Sequence, residues 1–284
     1  MQQIKISPQE LKLISKWIKD ISGIVLDEKK TYLIENRFSK LLAELGCESY
    51  EELYRKVKSD GSKRLEQKVI DAITTNETLF FRDRGPFDLL QNKIIPDLID
   101  KRSKKSSGLF AIRIRIWSAG CSTGQEIYSI AIVLKELLKD TSKYNIRLLG
   151  TDISDSAIAQ ASRGIYNKFE IERGLPKSIL QEYFTREGNF WKVKDEIRAM
   201  CTFRKLNLMY PFKSIGKFDI IFCRNVAIYF SIEDRKLLFK RLAEVLEKDG
   251  YLIIGSTESL TNICPLFAPK RHLRSIYYQL RDGA

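Results

Sequence analysis

Histidine is almost missing from this chain: His272 is the single one among 284 residues. A serine–histidine–acid triad could draw only on that residue, which lies near the C-terminus beside Arg271 and close to Arg274. A surface or interdomain role suits it better. Cysteine is sparse too. Cys47, Cys121, Cys201, Cys223 and Cys264 are odd in number, scattered, and form no Cys-x-x-Cys pair. With so few soft ligands no metal site is expected, and this usage points to the reducing cytoplasm. No apolar run nears the roughly 18 residues of a membrane span, so no membrane insertion is expected. The opening Met-Gln-Gln-Ile-Lys-Ile is not expected to be a signal peptide. A Gly-Lys-Ser/Thr loop is lacking, which argues against a bound triphosphate. Internal repeats are absent.

What the chain has in excess is positive charge. It carries 49 Lys+Arg against 36 Asp+Glu, a formal +13. The excess is uneven: residues 1–75 hold 14 basic and 12 acidic residues, the remainder 35 and 24. On charge alone, nucleic acid, an acidic protein and an anionic membrane all remain partners.

Residues 1–75 read as wholly helical. Ser7-Pro8-Gln9-Glu10 is a capping box with proline at the first helical position, and Leu11, Ile14, Ile18 and Ile21 share a face before Gly23 stops the helix. A second helix is predicted from about Thr31 to Leu45, Ser49-Tyr50-Glu51-Glu52 reads as another capping box, and a last helix spans about Ser62 to Ile73. Arg37, Lys40, Lys56 and Lys58 read as solvated charge, with a docking face as the alternative. Thr74 to Asp83 then crowds hydroxyls, an amide, Phe80-Phe81 and Arg82 at a domain junction. Phe87, Leu89, Leu90, Ile94 and Ile95 predict a helix. Lys101 to Gly108 reads as a basic surface loop.

From Ile112 the pattern changes to α/β. Ile112 to Trp117 alternates as a strand, Gly120 and Gly124 make a turn, and Ile127, Ile130, Ala131 and Leu134 follow at helical spacing. Strand, glycine turn and helix form the first unit of a doubly wound nucleotide-binding fold. The turn alone could equally be structural. Glu126 at the helix start suits a positively charged ligand group better than a pyrophosphate. A second strand, Asn145 to Gly150, ends in Thr151-Asp152, where an acid is placed for ribose hydroxyls. Tyr183 to Lys194 reads as an inserted hairpin with Glu187-Gly188-Asn189 at its tip. Strands are also predicted at Cys201 to Leu206, Phe218 to Cys223, Gly250 to Gly255 and Ser275 to Leu280, with a helix from Ile232 to Leu246. Arg224-Asn225 falls at the carboxyl end of a buried central strand, the edge where such sheets bind ligands.

Four blocks in this order resemble the chemotaxis receptor methyltransferases, the CheR family: Thr75-Asn76-Glu77-Thr78-Leu79-Phe80-Phe81-Arg82, Trp117-Ser118-Ala119-Gly120-Cys121-Ser122-Thr123-Gly124, Gly150-Thr151-Asp152-Ile153, and Phe218-Asp219-Ile220-Ile221-Phe222-Cys223-Arg224-Asn225-Val226-Ala227-Ile228-Tyr229-Phe230. The resemblance covers nearly the whole chain. It implies a small all-helical domain (1–75), an interdomain segment contributing to the cofactor site (76–95), and a doubly wound S-adenosyl-L-methionine-dependent methyltransferase domain (96–284) with a small antiparallel β-insertion at about 180–200. It implies O-methylation of glutamate side chains, with S-adenosylhomocysteine as the other product. The implied partner is the cytoplasmic domain of methyl-accepting chemotaxis receptors, met by a cytoplasmic monomer. By motif position, Asn76, Thr78 and Arg82 should line the cofactor site, Glu126 contact the methionine part and Asp152 the ribose. Asn207 and Leu208 should border the adenine. Arg224, Asn225 and Tyr229 should close the reacting end, with Arg82 and Tyr229 as the catalytic pair and Arg224 second to Arg82 for holding a substrate carboxylate. The chain departs from the family at Gln125-Glu126-Ile127, where Glu-Glu-Pro is common, and at Ala227, which replaces a larger apolar residue.

Two rivals remain. A nucleic-acid methyltransferase fits the charge, but base-amine methylation typically uses Asn/Asp-Pro-Pro-Tyr where this chain has Cys223-Arg224-Asn225-Val226. A non-catalytic cofactor-binding adaptor is opposed by the intact set of Asn76, Arg82, Glu126, Asp152 and Tyr229.

Overall fold

The computed structural model describes residues 4–27, 31–104 and 111–281. Residues 105–108 of the basic loop noted above lie outside them.

Four helices come first: α1 (Pro8–Ser22), α2 (Thr31–Leu45), α3 (Tyr50–Ser59) and α4 (Arg64–Ile73). The first capping box forms, Ser7 Oγ accepting from Glu10 N and the Glu10 carboxylate accepting from Ser7 N. Glu10 reaches further, accepting from Tyr50 N at 2.9 Å, so one carboxylate ties two helix starts together. The second box is only half made, because Glu52 bonds Glu48 N instead of Ser49 N. Ile14, Ile18, Ile34, Phe38, Leu53 and Val69 fill the bundle.

The next helical stretch is α5 (Gly85–Leu89), a π-turn (Leu90–Ile94) and α6 (Ile95–Ser103), run end to end. Then follow β1 (Ile112–Ala119), α7 (Gln125–Leu137), β2 (Tyr144–Asp152), α8 (Asp155–Arg163), β3 (Ile165–Asn167), α9 (Lys168–Glu172), α10 (Lys177–Tyr183), β4 (Phe184–Glu187), β5 (Phe190–Val193), α11 (Asp195–Arg198) and β6 (Cys201–Lys205). The chain ends with β7 (Phe218–Cys223), α12 (Ile232–Val245), β8 (Leu246–Ile254), β9 (Phe267–His272) and β10 (Ser275–Leu280).

Seven strands make one sheet in the order β6-β2-β1-β7-β8-β10-β9. The first five are parallel, and β10 and β9 add an antiparallel edge. All six residues of β7 are buried, as a central strand covered on both faces requires. Ile220 and Phe222 pack on one face, Ile221 and Cys223 on the other. Asp219 is fully buried but satisfied, accepting from Arg102 of α6 and from Arg115 N at 2.7 Å. The sheet order reverses between β1 and β7, which opens the crevice where such folds bind ligands. A second sheet, β3-β5-β4, stands apart. The hairpin read from the sequence is two of its three strands. Its loop is only Gly188-Asn189, with Glu187 already paired to Phe190, and Gly188 takes φ +61° as a two-residue hairpin turn demands.

Candidate active site

The turn after β1 is built by converging hydrogen bonds. Gly120 N and Cys121 N both donate to Thr151 O at 2.8 Å, joining the carboxyl ends of β1 and β2. Gly120 has φ +78°, and a methyl there would run into Val226 Cγ2, so glycine is required twice over. Ser122 N donates to Asp152 Oδ2 at 2.9 Å, while Ser122 Oγ donates to Asn76 O at 3.0 Å. Ser154 N donates to Asp152 Oδ1 at 3.0 Å. Asp152 is thus held by both oxygens at the crevice, and its burial pushes its pKa up against the pull of these N–H donors.

Glu126 sits in the first turn of α7. Its Oε1 accepts from Ser118 Oγ at 2.7 Å and its Oε2 from Arg224 Nη1 at 2.8 Å. Arg224 is spent inside the protein: Nη2 donates to Asp83 Oδ2 at 2.8 Å and to Arg82 O at 2.9 Å, and its side chain is 1% exposed. Two carboxylates against one guanidinium leave this cluster net negative. Three of its five N–H donors are spent in this way, and its buried Nε has no partner among the described residues, so Arg224 is less free than expected to stand second in line for a substrate carboxylate. Arg82 is different. It is half-buried, and among the described residues its guanidinium donates only to Glu77 O at 3.2 Å.

Asn225 takes φ +57°, and its N–H is held by Glu258 Oε2 at 2.8 Å; the same oxygen accepts from Gly255 N at 2.7 Å. Burial raises the Glu258 pKa. Phe81, Asp83 and Arg84 also have positive φ, at +51°, +63° and +26°. Such strain, about 1–3 kcal/mol per residue, persists only where surrounding structure enforces it. Here Phe81 N donates to Ser129 Oγ, and Phe80 is fully buried edge-on to Tyr166 and Phe184, so the interdomain segment is clamped between α7 and the small sheet.

The helical domain contributes directly. Asn207 Nδ2 donates to Ile21 O at 2.9 Å and Val25 N donates to Tyr229 O at 2.9 Å, which brings Ser22 and Ile24 into the cleft. Arg37, read as solvated charge, instead donates to Ile73 O and to Thr75 Oγ1, pinning the start of the interdomain segment. Lys56 donates to Leu45 O but stays exposed, as solvated charge.

The cleft has two adjoining halves. One is lined by Asn76, Asp152, Asn207, Leu208 and Tyr229 together with Ser22, Ile24, Ile153 and Val226. The other is lined by Thr78, Arg82, Glu126, Asp152, Arg224, Asn225 and Tyr229 together with Ser122 and Ile228. Every residue singled out from the sequence therefore lies on it, though the Asn207 amide is occupied by Ile21 O and Met209 N. Sequence reasoning missed Asp83, Glu258, Ser22 and Ile24. Glu258 had a signal, a carboxylate just beyond a strand on the ligand-binding edge. Ser22 and Ile24 had none, since only tertiary docking places them.

The donor set fits a cationic nucleoside better than a phosphate. Asp152 can accept from ribose hydroxyls, the Glu126 cluster is net negative for an ammonium, and Ile153, Leu208 and Val226 offer apolar walls to a purine. Among the described residues no cluster could hold a metal ion, and no helix is long and apolar enough to cross a membrane.

Comparison with known proteins agrees with this chemistry. The family model of the CheR methyltransferase SAM binding domain matches residues 76–270, and that of the CheR methyltransferase all-alpha domain matches residues 9–74. The chemotaxis protein methyltransferase Cher2 of Pseudomonas putida is 37% identical over 269 residues, spanning 93% of this chain and 95% of its own. A chemotaxis protein methyltransferase of Vibrio parahaemolyticus is 37% identical over 284 residues, spanning 99% and 100%. One from Borreliella burgdorferi is 41% identical over 263 residues, spanning 90% of each.

Proposed function

The chain belongs to the CheR methyltransferase family, and from that premise we propose that it transfers the methyl group of S-adenosylmethionine to glutamate side chains of chemotaxis receptors. The observation that carries this is the pairing, across one cleft, of two positioned carboxylates with a half-free arginine and tyrosine: Asp152 and Glu126 facing Arg82 and Tyr229.

The cofactor supplies an electrophilic methyl on a sulfonium, already a good leaving group. A glutamate acceptor is ionised at neutral pH, with an ordinary pKa of about 4.3, so no general base is needed. With the cofactor bound, transfer of its methyl to the acceptor oxygen would leave a methyl ester and S-adenosylhomocysteine. What this chain contributes is alignment, an effect worth about 7–11 kcal/mol where geometry is well held. Asp152 would hold the ribose hydroxyls and Glu126 the amino group, while Ile153 and Leu208 would flank the adenine. Asn76 and Thr78 line the cleft from the interdomain segment. Arg82 draws in the substrate carboxylate, and Tyr229, whose hydroxyl has no partner among the described residues, packs at the reacting end. Arg224 and Asn225 close the cleft at the reacting end, Arg224 holding Glu126 in place.

The partner is the receptor's cytoplasmic domain, met in the cytoplasm by a monomer without nucleic acid. In support, Cys223-Arg224-Asn225-Val226 stands where base-amine methyltransferases carry their proline-tyrosine motif. The test is transfer of labelled methyl from S-adenosylmethionine to a receptor cytoplasmic fragment. Label released by mild alkali marks an ester and supports the reading; alkali-stable label, or label on nucleic acid alone, overturns it.

A further inference from the structure

α4 turns Val69 and Ile73 into the core of the helical bundle and carries Gln67 and Asp71, one turn apart, on a polar face. That face docks on the loop after β2. Gln67 Nε2 donates to Ile153 O at 3.1 Å and to Asp71 Oδ1 at 3.3 Å. Lys205 of β6, in register with Asp152 of β2, donates to Asp155 Oδ2 at 3.0 Å and also to Gln67 Oε1. Asp71 Oδ1 accepts from Ser154 Oγ at 2.8 Å and from Ser156 N at 3.4 Å.

Ser154 joins these contacts to the cleft. It is fully buried, and its hydroxyl proton goes to Asp71. Its oxygen caps α8 by accepting from Ala157 N at 3.1 Å and lies 2.9 Å from Ser156 Oγ. A hydroxyl has one donor and two acceptor positions, so all are filled. Its backbone N–H donates to Asp152 Oδ1 at 3.0 Å. The helical domain therefore reaches Asp152 through Ser154 alone, and it holds Ile153, a wall of the same cleft, directly. An acid in this place has a cost. Burial is the main reason that the Asp152 pKa is raised, and the Asp71 charge adds to it. What the acid gives in return is direction. A carboxylate only accepts, so the Ser154 hydroxyl must point at Asp71 and leave its lone pairs to the cap.

We propose that Asp71 is a positioning residue for the cofactor: it orients Ser154 and, through Ser154, the carboxylate of Asp152, so that docking of the helical domain and the hold on the ribose are coupled. The inference rests on the reading that Asp152 holds the ribose. Asp71 itself touches no cofactor atom in this scheme; it acts across the domain boundary, from the side of the β2 loop away from the cleft. Such coupling is reciprocal, so bound cofactor should also steady the docked helical domain.

The experiment uses the full chain and measures S-adenosylmethionine affinity by calorimetry across pH, with melting as the check on folding. Asp71→Ala should weaken affinity at neutral pH by about fivefold or more, the scale of one lost hydrogen bond. Ser154→Ala should do the same. The double variant should be no more than about twofold weaker than either single one, because both changes act along one path. Losses that multiply would mean that Asp71 only docks the domain, and would overturn the proposal. Asp71→Asn keeps an acceptor for Ser154 Oγ and guards against a misfolded alanine variant. It should bind within about threefold of the wild type at neutral pH, and its affinity should hold to lower pH, since removing the Asp71 charge lowers the Asp152 pKa. Glu77, Arg82, Glu126 and Arg224 on the cleft side, and Asp155 and Lys205 behind, are the same in both proteins, so the shift reports Asp71. An unmoved acid limb in Asp71→Asn, or normal affinity in Asp71→Ala, would overturn the proposal. If Asp152→Ala binds normally, the ribose reading falls and this proposal with it. If Asp152→Ala is weak and Asp71→Ala is normal, only this proposal falls.

Discussion

Glu258 accepts the N–H groups of Asn225 and Gly255 through the same oxygen, Oε2. A glutamine there can offer its amide oxygen to both, whereas alanine leaves two N–H groups unpaired. Glu258→Ala should therefore lose about 1–3 kcal/mol per stranded group, while Glu258→Gln should melt at or above the wild type. The sign with pH follows from burial, which raises the folded-state pKa. Below its ordinary value, about 4.3, the carboxyl is neutral in both states. As pH rises through the raised folded value, the wild type loses stability that glutamine keeps, so the gap in melting temperature should widen from acid to neutral pH. A constant gap would mean that the charge is not felt. Asp152 is raised in the same direction, so cofactor affinity should begin to fall at a higher pH than an unburied aspartate would cause. Asp152→Ala should weaken S-adenosylmethionine binding more than tenfold, since a charge-assisted hydrogen bond is worth roughly 1.5–3 kcal/mol; unchanged calorimetric affinity in a folded variant would remove it from the site. The two arginines should separate cleanly. Arg82→Ala should lose most turnover with little change in melting. Arg224→Ala strands Glu126 and Asp83, a loss that can reach about 3–5 kcal/mol for a buried pair, tempered here because the Asp83 side chain is 37% exposed.

At the scale of elements, what could be read in the sequence was local. The Ser7–Glu10 box, the β1-turn-α7 unit and Asp152 at the end of β2 are each specified within about ten residues by caps, glycines and alternation. What escaped depends on pairing at a distance. β3 is three residues long and exists because β5 lies beside it. β9 contains Pro269, which speaks against a strand, but β9 is the sheet edge, where a missing N–H does no harm. β8 starts at Leu246, four residues before the expected Gly250, because Glu247-Lys248-Asp249 hides its pairing end. The site followed the same division. Its motif residues were legible, but their partners Asp83, Glu258 and Ser22 were set by tertiary packing. Arg37 shows the consequence: a surface charge by pattern, it anchors Ile73 O and Thr75 Oγ1 just ahead of Asn76. Arg37→Ala should raise the dissociation constant for S-adenosylmethionine severalfold, although Arg37 does not line the cleft. Affinity equal to wild type would show that the interdomain segment holds its place without this anchor.

For the whole molecule, the question is how a basic protein would find the receptor substrate proposed above. The family resemblance includes members whose small sheet pairs with a short peptide at the receptor's C-terminus, and those members carry a longer, glycine-punctuated loop at the hairpin tip. Here the β4–β5 loop is two residues, closed by Arg186 Nε donating to Gly188 O at 3.1 Å, with the Arg186 guanidinium over the Trp191 ring. Loop and arginine are tied to the sheet's own strands and offer no extended lip for a peptide. Docking should then fall to exposed charge: Lys12, Lys16, Lys40 and Lys58 on the helical domain and Arg186 on the hairpin. Lys56 is exposed too and belongs to that face, whereas Arg37 is half-buried and bonded to Ile73 O and Thr75 Oγ1. Attraction of this kind acts over a screening length of about 8 Å at physiological ionic strength and shortens as salt is added, so it should show mainly in the association rate. Methylation of one receptor fragment should therefore be equal with and without its last few residues, and should fall for both as salt rises. Micromolar binding of the free C-terminal peptide, or a strong loss on truncation, would show that the short hairpin still serves as a tether. Salt-insensitive rates would show that these lysines do not carry the recognition.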